Sequence, residues 1–407
     1  MNIWKIISLL IVIQFIMATA TEPLVLIGGA LADENEAIYQ QIINFGGGNQ
    51  KARIGVITAG SDPQDAKANA EYYCNLFRGY GVYDCSWIPI DLDHKENNQD
   101  PQVLSLIAQM TAFFFGGGDQ ERISECFFNS HEDSPALSLI RKLHTEQNVV
   151  ISGSSAGTTI MQGNYMVTGG ESYNAVTQDK PHSYIDDNYP DDLSYDPYPG
   201  FNIFTLGLLD THFSQRGREG RMIRLLDFSR ISYGFGIDEN TALVINGTKG
   251  KVIGEGGVWV FNMKKINEKK DELRASDWEI DNVLGSYLTL DDEYDFTTNS
   301  ITFASWKSSL YGREIHNHPM TPTDDIFSSP NNSELKDRRN PNEMEIVSCD
   351  LFDSKGSDTY GLTYEDDPTY EVDLTKDRDQ GADGYQGYFN DINYYAFENL
   401  KIDIFRY

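Results

Sequence analysis

Basic residues are scarce in this sequence. The 407-residue chain carries 32 lysines and arginines against 62 aspartates and glutamates, a formal net charge of −30. Such a body repels polyanions, so nucleic acid and anionic membrane surfaces are not expected partners; solubility outside the cell is the plainest use of the charge. Cysteine is scarce too: Cys74, Cys85, Cys126 and Cys349 are the only four. None has C-x-x-C spacing, which argues against a zinc site or a dithiol redox pair, and neither a metal nor a cofactor is expected. Long apolar runs are nearly absent. The one at the N-terminus, residues 6–17, follows Lys5, is interrupted by Ser8 and Gln14, and ends in Ala18, Thr19 and Ala20. A short apolar core closed by small residues predicts a secretory signal cleaved after Ala20, and the run is short for a membrane span. The mature protein is therefore expected to be soluble and secreted, either extracellular or in the lumen of the secretory or lysosomal system.

Secretion changes the meaning of the four cysteines. An even count permits two disulfides, with three possible pairings. Cys74 with Cys85 is the preferred first pair, from a helix and the strand after it; Cys126 with Cys349 would then tie the C-terminal region to the front of the molecule. Asn246-Gly247-Thr248 and Asn331-Asn332-Ser333 are glycosylation sequons in a eukaryotic secretory pathway.

From residue 22 to about 261 short apolar runs alternate with amphipathic stretches. Strands are predicted at 24–27, 53–58, 85–90, 112–115 and 149–151, and helices at 34–44, 66–78, 101–110 and 134–146. That rhythm predicts a parallel sheet covered on both faces, with its chemistry beyond the carboxyl ends of the strands. Three glycine clusters fall at such ends: Gly28-Gly29, Gly116-Gly117-Gly118 and Gly153 to Gly157. Residues 174–200 break the rhythm with six aspartates (Asp179, Asp186, Asp187, Asp191, Asp192 and Asp196) and read as an acidic surface insertion. Two β-segments are predicted at 234–245 and 251–261. Beyond residue 263 the apolar periodicity weakens, and 264–407 read as an acidic, β-rich extension to a catalytic domain over 21–263. Asp377, Asp379 and Asp383 lack the spacing and closing glutamate of a calcium loop and read as a solvated turn.

Gly153-Ser154-Ser155-Ala156-Gly157 fits G-x-S-x-G between a strand and a helix, the context that lifts a serine hydroxyl out of a sheet. The Ala156 amide, at a helix N-terminus, can bind an oxyanion. A serine needs a base. His212, at the end of the apolar run 203–209, is the best placed of seven histidines; His182 lies in the acidic insertion. For the acid that orients the base, Glu171 is the candidate between Ser155 and His212 in the chain, with the aspartates of the insertion as rivals. Downstream stand Arg216, Arg218 and Arg221; on a helix, Arg218 and Arg221 share a face and could clamp a substrate carboxylate, or simply pair with acidic neighbours.

Taken in order, Gly28-Gly29-Ala30, Ile57-Thr58-Ala59-Gly60-Ser61, Phe115-Gly116-Gly117-Gly118-Asp119-Gln120, Gly153 to Gly157, Asp210 to Arg221 and Gly236-Ile237-Asp238-Glu239-Asn240-Thr241-Ala242 resemble the cyanophycinase and dipeptidase E family of serine peptidases, more closely cyanophycinase. The resemblance covers roughly residues 23–261. It implies a flavodoxin-like three-layer α/β sandwich, related to class I amidotransferases, with Ser155 and His212 as nucleophile and base and an acid near Glu171. It places the oxyanion hole at Gly118 and the Ala156 amide, and matches Gln120, Asp210, Arg216, Arg218 and Arg221 to substrate-binding positions. The substrate it implies is a peptide with aspartyl groups, some bearing arginine, as in the release of β-Asp-Arg dipeptides from cyanophycin; a homodimer is compatible with it. Thr211 departs from the family's glutamine beside the histidine. The rival readings are an inactive secreted binding or matrix protein on the same fold and, third, an α/β-hydrolase esterase, which would need an HGGG-like loop where this chain has Phe-Gly-Gly-Gly-Asp-Gln.

Overall fold

The computed structural model describes residues 21–185, 188–267, 278–319, 322–332 and 341–407. The expected signal segment 1–20, Asp186 and Asp187 of the insertion, and Ser333 of the second sequon lie outside the described residues.

Five short apolar runs form parallel strands in the order Asp84–Trp87, Arg53–Ile57, Ala112–Phe115, Val150–Ser154, Thr21–Ile27. Thr241–Gly247, Lys249–Gly254, Glu293–Asp295 and Ser300–Thr302 then extend the sheet with antiparallel neighbours. Successive side chains of a strand point to opposite faces. Leu24 and Leu26 accordingly join one buried cluster while Val25 and Ile27 join another. Helices Glu36–Phe45 and Pro63–Gly79 bury Tyr39, Ile42, Cys74 and Phe77 against the second of these clusters, and helix Pro135–Gln147 buries Leu137, Ile140 and Leu143 against the first. Both faces of the sheet are therefore covered, which is the flavodoxin-like α/β arrangement with a β-rich C-terminal addition.

A second sheet starts with Leu208–Thr211 and Tyr233–Ile237, which pair in parallel, followed by Gly257–Asn262, Ile280–Thr289 and Ile392–Arg406. The last two come from beyond residue 263. The extension is thus continuous with the rest of the chain at two places, since Glu293–Asp295 also joins the first sheet. One apolar cluster holds Leu208, Phe213 and Trp259 together with Tyr287, Phe397 and Ile402, so the packing has no break at residue 263.

Cys74, on helix Pro63–Gly79, is bonded to Cys85, on strand Asp84–Trp87, with their Cα atoms 5.4 Å apart. The expected second bridge is absent. Cys126 is buried in the core of the first sheet and Cys349 packs against the core of the second, and both are free thiols. Asn246 and Asn331 are both exposed.

Candidate active site

Ser155 stands between strand Val150–Ser154 and the short helix Ala156–Thr159 with φ 57° and ψ −121°. Only a tight bend puts a non-glycine residue there. Its neighbours must be glycine because backbone passes against them: a Cβ on Gly153 would lie 2.0 Å from the Gly157 carbonyl oxygen, and one on Gly157 would lie 2.1 Å from that of Phe115. The bend exposes the hydroxyl at the carboxyl end of the first sheet.

His212 follows the first strand of the second sheet, Leu208–Thr211. Its N–H donates to the Gly28 carbonyl at 2.7 Å, which fastens it to the end of Thr21–Ile27, the strand next to the one that carries Ser155. Its Nε2 lies 2.8 Å from Ser155 Oγ. The site is therefore built where two sheets present their strand ends to each other.

Nδ1 of His212 is held by Glu239, at 2.6 Å from Oε1. This corrects the expectation for Glu171. Glu239 immediately follows Tyr233–Ile237 and Asp238, on the strand paired in parallel with that of His212, so its carboxylate emerges beside the imidazole. Glu171 instead directly precedes helix Ser172–Thr177 and borders the cleft, where its charge acts on Arg218. Glu239 belongs to one of the segments that carry the family resemblance, but it follows both serine and histidine in chain order. The useful signal was topological: an acidic residue directly after the next apolar strand.

Burial pulls His212 below the usual histidine range, helped by Arg216 and Arg218 and opposed by the Glu239 hydrogen bond. The imidazole is thus neutral at pH 7. With its proton on Nδ1, donated to Glu239, the Nε2 lone pair faces the Ser155 hydroxyl. The His212 hydrogen bond holds Glu239 below the ordinary carboxylate range despite partial burial.

A cleft of ≈ 350 Å³ opens over Ser155. Gly118 and Ala156 border it, as do Gln120, Arg216 and Arg218. Gly118 has φ 131°, and a Cβ there would lie 2.0 Å from the Gly60 carbonyl oxygen; one on neighbouring Gly117 would lie 3.2 Å from Ser155 Cβ. The glycine loop lies close beside Ser155, and the Ala156 N–H has no acceptor within its helix. Gln120 is oriented by donating Nε2–H to the carbonyls of Val167 and Thr168 at 3.0 and 3.3 Å.

The arginines divide their labour. Arg221 grips buried Asp210 through two bonds of 2.7 Å and donates to the Gly170 carbonyl at 2.6 Å, so of the two readings open to it from the sequence the geometry displays the pairing with an acidic neighbour. Arg218 Nη1 reaches Asp210 at 3.2 Å and the Thr211 carbonyl at 2.7 Å. Burial, seconded by Arg221, lowers Arg218 to about 9, still charged at neutral pH. Burial works against ionised Asp210, but Arg221 and Arg218 outweigh it and hold the carboxyl below its usual range. Asp210 therefore serves to orient guanidiniums, and Arg216, Arg218 and Arg221 all border the cleft. A larger cavity of ≈ 620 Å³, by His131 and Tyr198, does not touch Ser155. Among the described residues no cluster suited to a metal ion occurs.

The sequence model of peptidase family S51 matches residues 24–253. Among characterised proteins, the chain is 28% identical over 222 residues to a cyanophycinase of Synechococcus elongatus, covering 54% of this chain and 62% of that one. It is 27% identical over 241 residues to a cyanophycinase of Geminocystis herdmanii, covering 58% of this chain and 80% of that one. The chain thus spans less than two thirds of the first relative's length. A crystal structure of a peptidase from an acI-B1 actinobacterium superposes with a TM-score of 0.45 at 18% identity, over 68% of this chain and 97% of that one.

Proposed function

Because the chain belongs to peptidase family S51, we propose that it is a secreted serine peptidase that cleaves aspartyl peptide bonds through an acyl-enzyme, in the manner of a cyanophycinase. The observation that carries this reading is the continuous chain Ser155 Oγ to His212 Nε2, and His212 Nδ1 to Glu239, with links of 2.8 and 2.6 Å. An ordinary glycine-serine turn would need neither an imidazole nor a carboxylate behind it.

In the first half-reaction His212 Nε2 takes the proton from Ser155 as Oγ bonds to the substrate carbonyl carbon. Negative charge moves to the carbonyl oxygen, where the Gly118 and Ala156 amides can receive it. The C–N bond then breaks, and His212 returns its proton to the departing amine. In the second half a water gives a proton to His212 and attacks the ester; collapse releases the acid and restores the Ser155 hydroxyl. Glu239 stays ionised throughout and stabilises the transient imidazolium.

Arg216 and Arg218 favour a substrate carboxylate near the scissile bond, which supports the aspartyl preference. The relatives are cyanophycinases, and an arginine-bearing aspartyl substrate is the natural extension. The disulfide between Cys74 and Cys85 favours an oxidising compartment, in keeping with secretion.

The test is to incubate the protein with a fluorophosphonate and, separately, with cyanophycin and a panel of α- and β-aspartyl dipeptides, reading products by mass. Labelling at Ser155 with cleavage after aspartyl residues is expected. Absence of both labelling and turnover would leave a binding protein on a peptidase fold.

A further inference from the structure

The extension beyond residue 263 lies outside the stretch matched by the family, yet one of its side chains reaches the rear of the triad. Tyr287, in strand Ile280–Thr289, donates its O–H to Asp238 Oδ2 at 2.6 Å. Asp238 is fully buried and adjoins Glu239 in the chain. Its Oδ2 also accepts the Gly257 N–H at 3.1 Å, and its Oδ1 accepts the Ser214 N–H at 2.9 Å. Ser214 lies two residues beyond His212, so this one carboxylate fastens the segment bearing the base to the segment bearing the acid. A second tie runs alongside, from the Glu239 N–H to Gln215 Oε1 at 2.9 Å. Trp259 Nε1 closes the rear by donating to Ser214 Oγ at 3.0 Å.

We propose that Tyr287 is a positioning residue for the Ser155–His212–Glu239 array, and that the C-terminal extension braces the site through it. The proposal rests on reading those three residues as one reacting unit. Its physical ground is that a buried carboxylate must have its lone pairs satisfied to stay in place. Among these five hydrogen bonds the phenol's is the shortest, and it alone comes from beyond residue 263. Tyr287 is itself held rigid: it is 2% exposed and packs against Trp259 and Phe397 with ring centroids 5.4 and 5.9 Å away. On the far side of the phenol stand Glu345 and Cys349, from helix Glu343–Phe352. Burial, and then the nearby Asp238, push Glu345 up to about 8, and burial raises Asp238 as well.

The experiment uses the full chain with Tyr287→Phe, which removes one oxygen and keeps the ring. Loosening Asp238 frees Glu239 to move, and small misplacements of a reacting group are costly. The expected result is a kcat lower by about tenfold with KM changed by less than about twofold. Because the Glu239 hydrogen bond raises His212, weakening it moves the acid limb of kcat/KM to lower pH. The low-field proton resonance of His212 Nδ1–H, read with 15N-histidine, should shift or vanish; this readout needs no substrate and separates failure of the brace from failure of the peptidase reading. Should Y287F not fold, Asp238→Asn, which preserves volume, is read the same way. An unchanged resonance and an unchanged acid limb in whichever variant folds would overturn the proposal.

Discussion

A Cβ placed on Gly29 would stand 2.3 Å from both Cε1 and Nε2 of His212, so the imidazole occupies the space that any other residue's side chain would claim. Gly29 also has φ 106°, which side chains rarely adopt. The glycine pair at the end of the first strand is therefore part of the seat of the base. Gly28 serves likewise for the acid side, since a Cβ there would meet the Asp238 carbonyl oxygen at 2.0 Å.

From this follows the effect of Gly29→Ala. The methyl group must push the ring off Ser155 Oγ, while the sheets beneath are untouched. A kcat lower by about 10²-fold or more is expected, the cost of displacing a reacting group by around 1 Å. Circular dichroism should report an unchanged fold, and loss of fluorophosphonate labelling would parallel the loss of turnover. Full activity in this variant would mean that the 2.8 Å contact is not the working geometry.

Much of this seat was legible in the sequence, because its parts are short and local. Ser155 announced itself by glycines two residues to either side, which a close-packed bend demands; His212 by standing at the end of an apolar run. What the sequence concealed was adjacency across strands. Glu239 is 27 residues beyond His212 but one parallel strand away, and chain order gave no hint of it. For Arg221 the sequence leaves a substrate clamp and a pairing with an acidic neighbour both open, because burial cannot be read from an arginine; in the fold it pairs with buried Asp210. The pairing of Cys126 with Cys349 failed for a similar reason, as parity of cysteines says nothing about which core each one enters.

The pH dependence of kcat/KM should follow His212. Burial lowers it below the ordinary value of 6.5, so the acid limb should lie below that pH, with a plateau at neutrality. Glu239→Gln removes the group that raises His212, which moves the limb further to the acid side. The same change removes the partner that selects the reactive tautomer and stabilises the imidazolium, and kcat should fall by about 10³ to 10⁴. Glu171→Gln should leave the position of the acid limb unchanged. A limb that moved with Glu171 and not with Glu239 would return the acid's role to the residue first expected from the sequence.

Asp210 makes a separate prediction about stability. Its folded carboxyl is held below the unfolded value near 3.8 by Arg221 and Arg218 against the opposing effect of burial. A depressed carboxylate contributes stability that is present above the unfolded value and is lost as pH falls through the folded one. Asp210→Asn leaves two guanidiniums without their anion in a buried place and should cost about 3–5 kcal/mol at pH 7. The deficit against the native protein should shrink as pH is taken below about 4. Urea unfolding at pH 7 and pH 3.5 would measure both; an equal deficit at the two values would show that the ion pairs carry none of it.

The bend at Ser155 stores strain that can be weighed. Ser155 sits at φ 57° and ψ −121°, outside the regions that residues with a Cβ prefer, and such placements cost about 1–3 kcal/mol. The cost persists because packing around Gly153 and Gly157 leaves the chain no other route from strand to helix. Ser155→Ala removes the hydroxyl but keeps the Cβ, and with it the strain. Ser155→Gly removes both. Glycine pays back some of the difference through its freer unfolded chain, by about 0.4–1 kcal/mol. On balance the glycine variant should be the more stable of the two by up to about 2 kcal/mol, with both inactive, as read by thermal unfolding at one pH. If alanine proved the more stable, the backbone at residue 155 would have to be relaxed, and the hydroxyl would owe its exposure to something other than a forced turn.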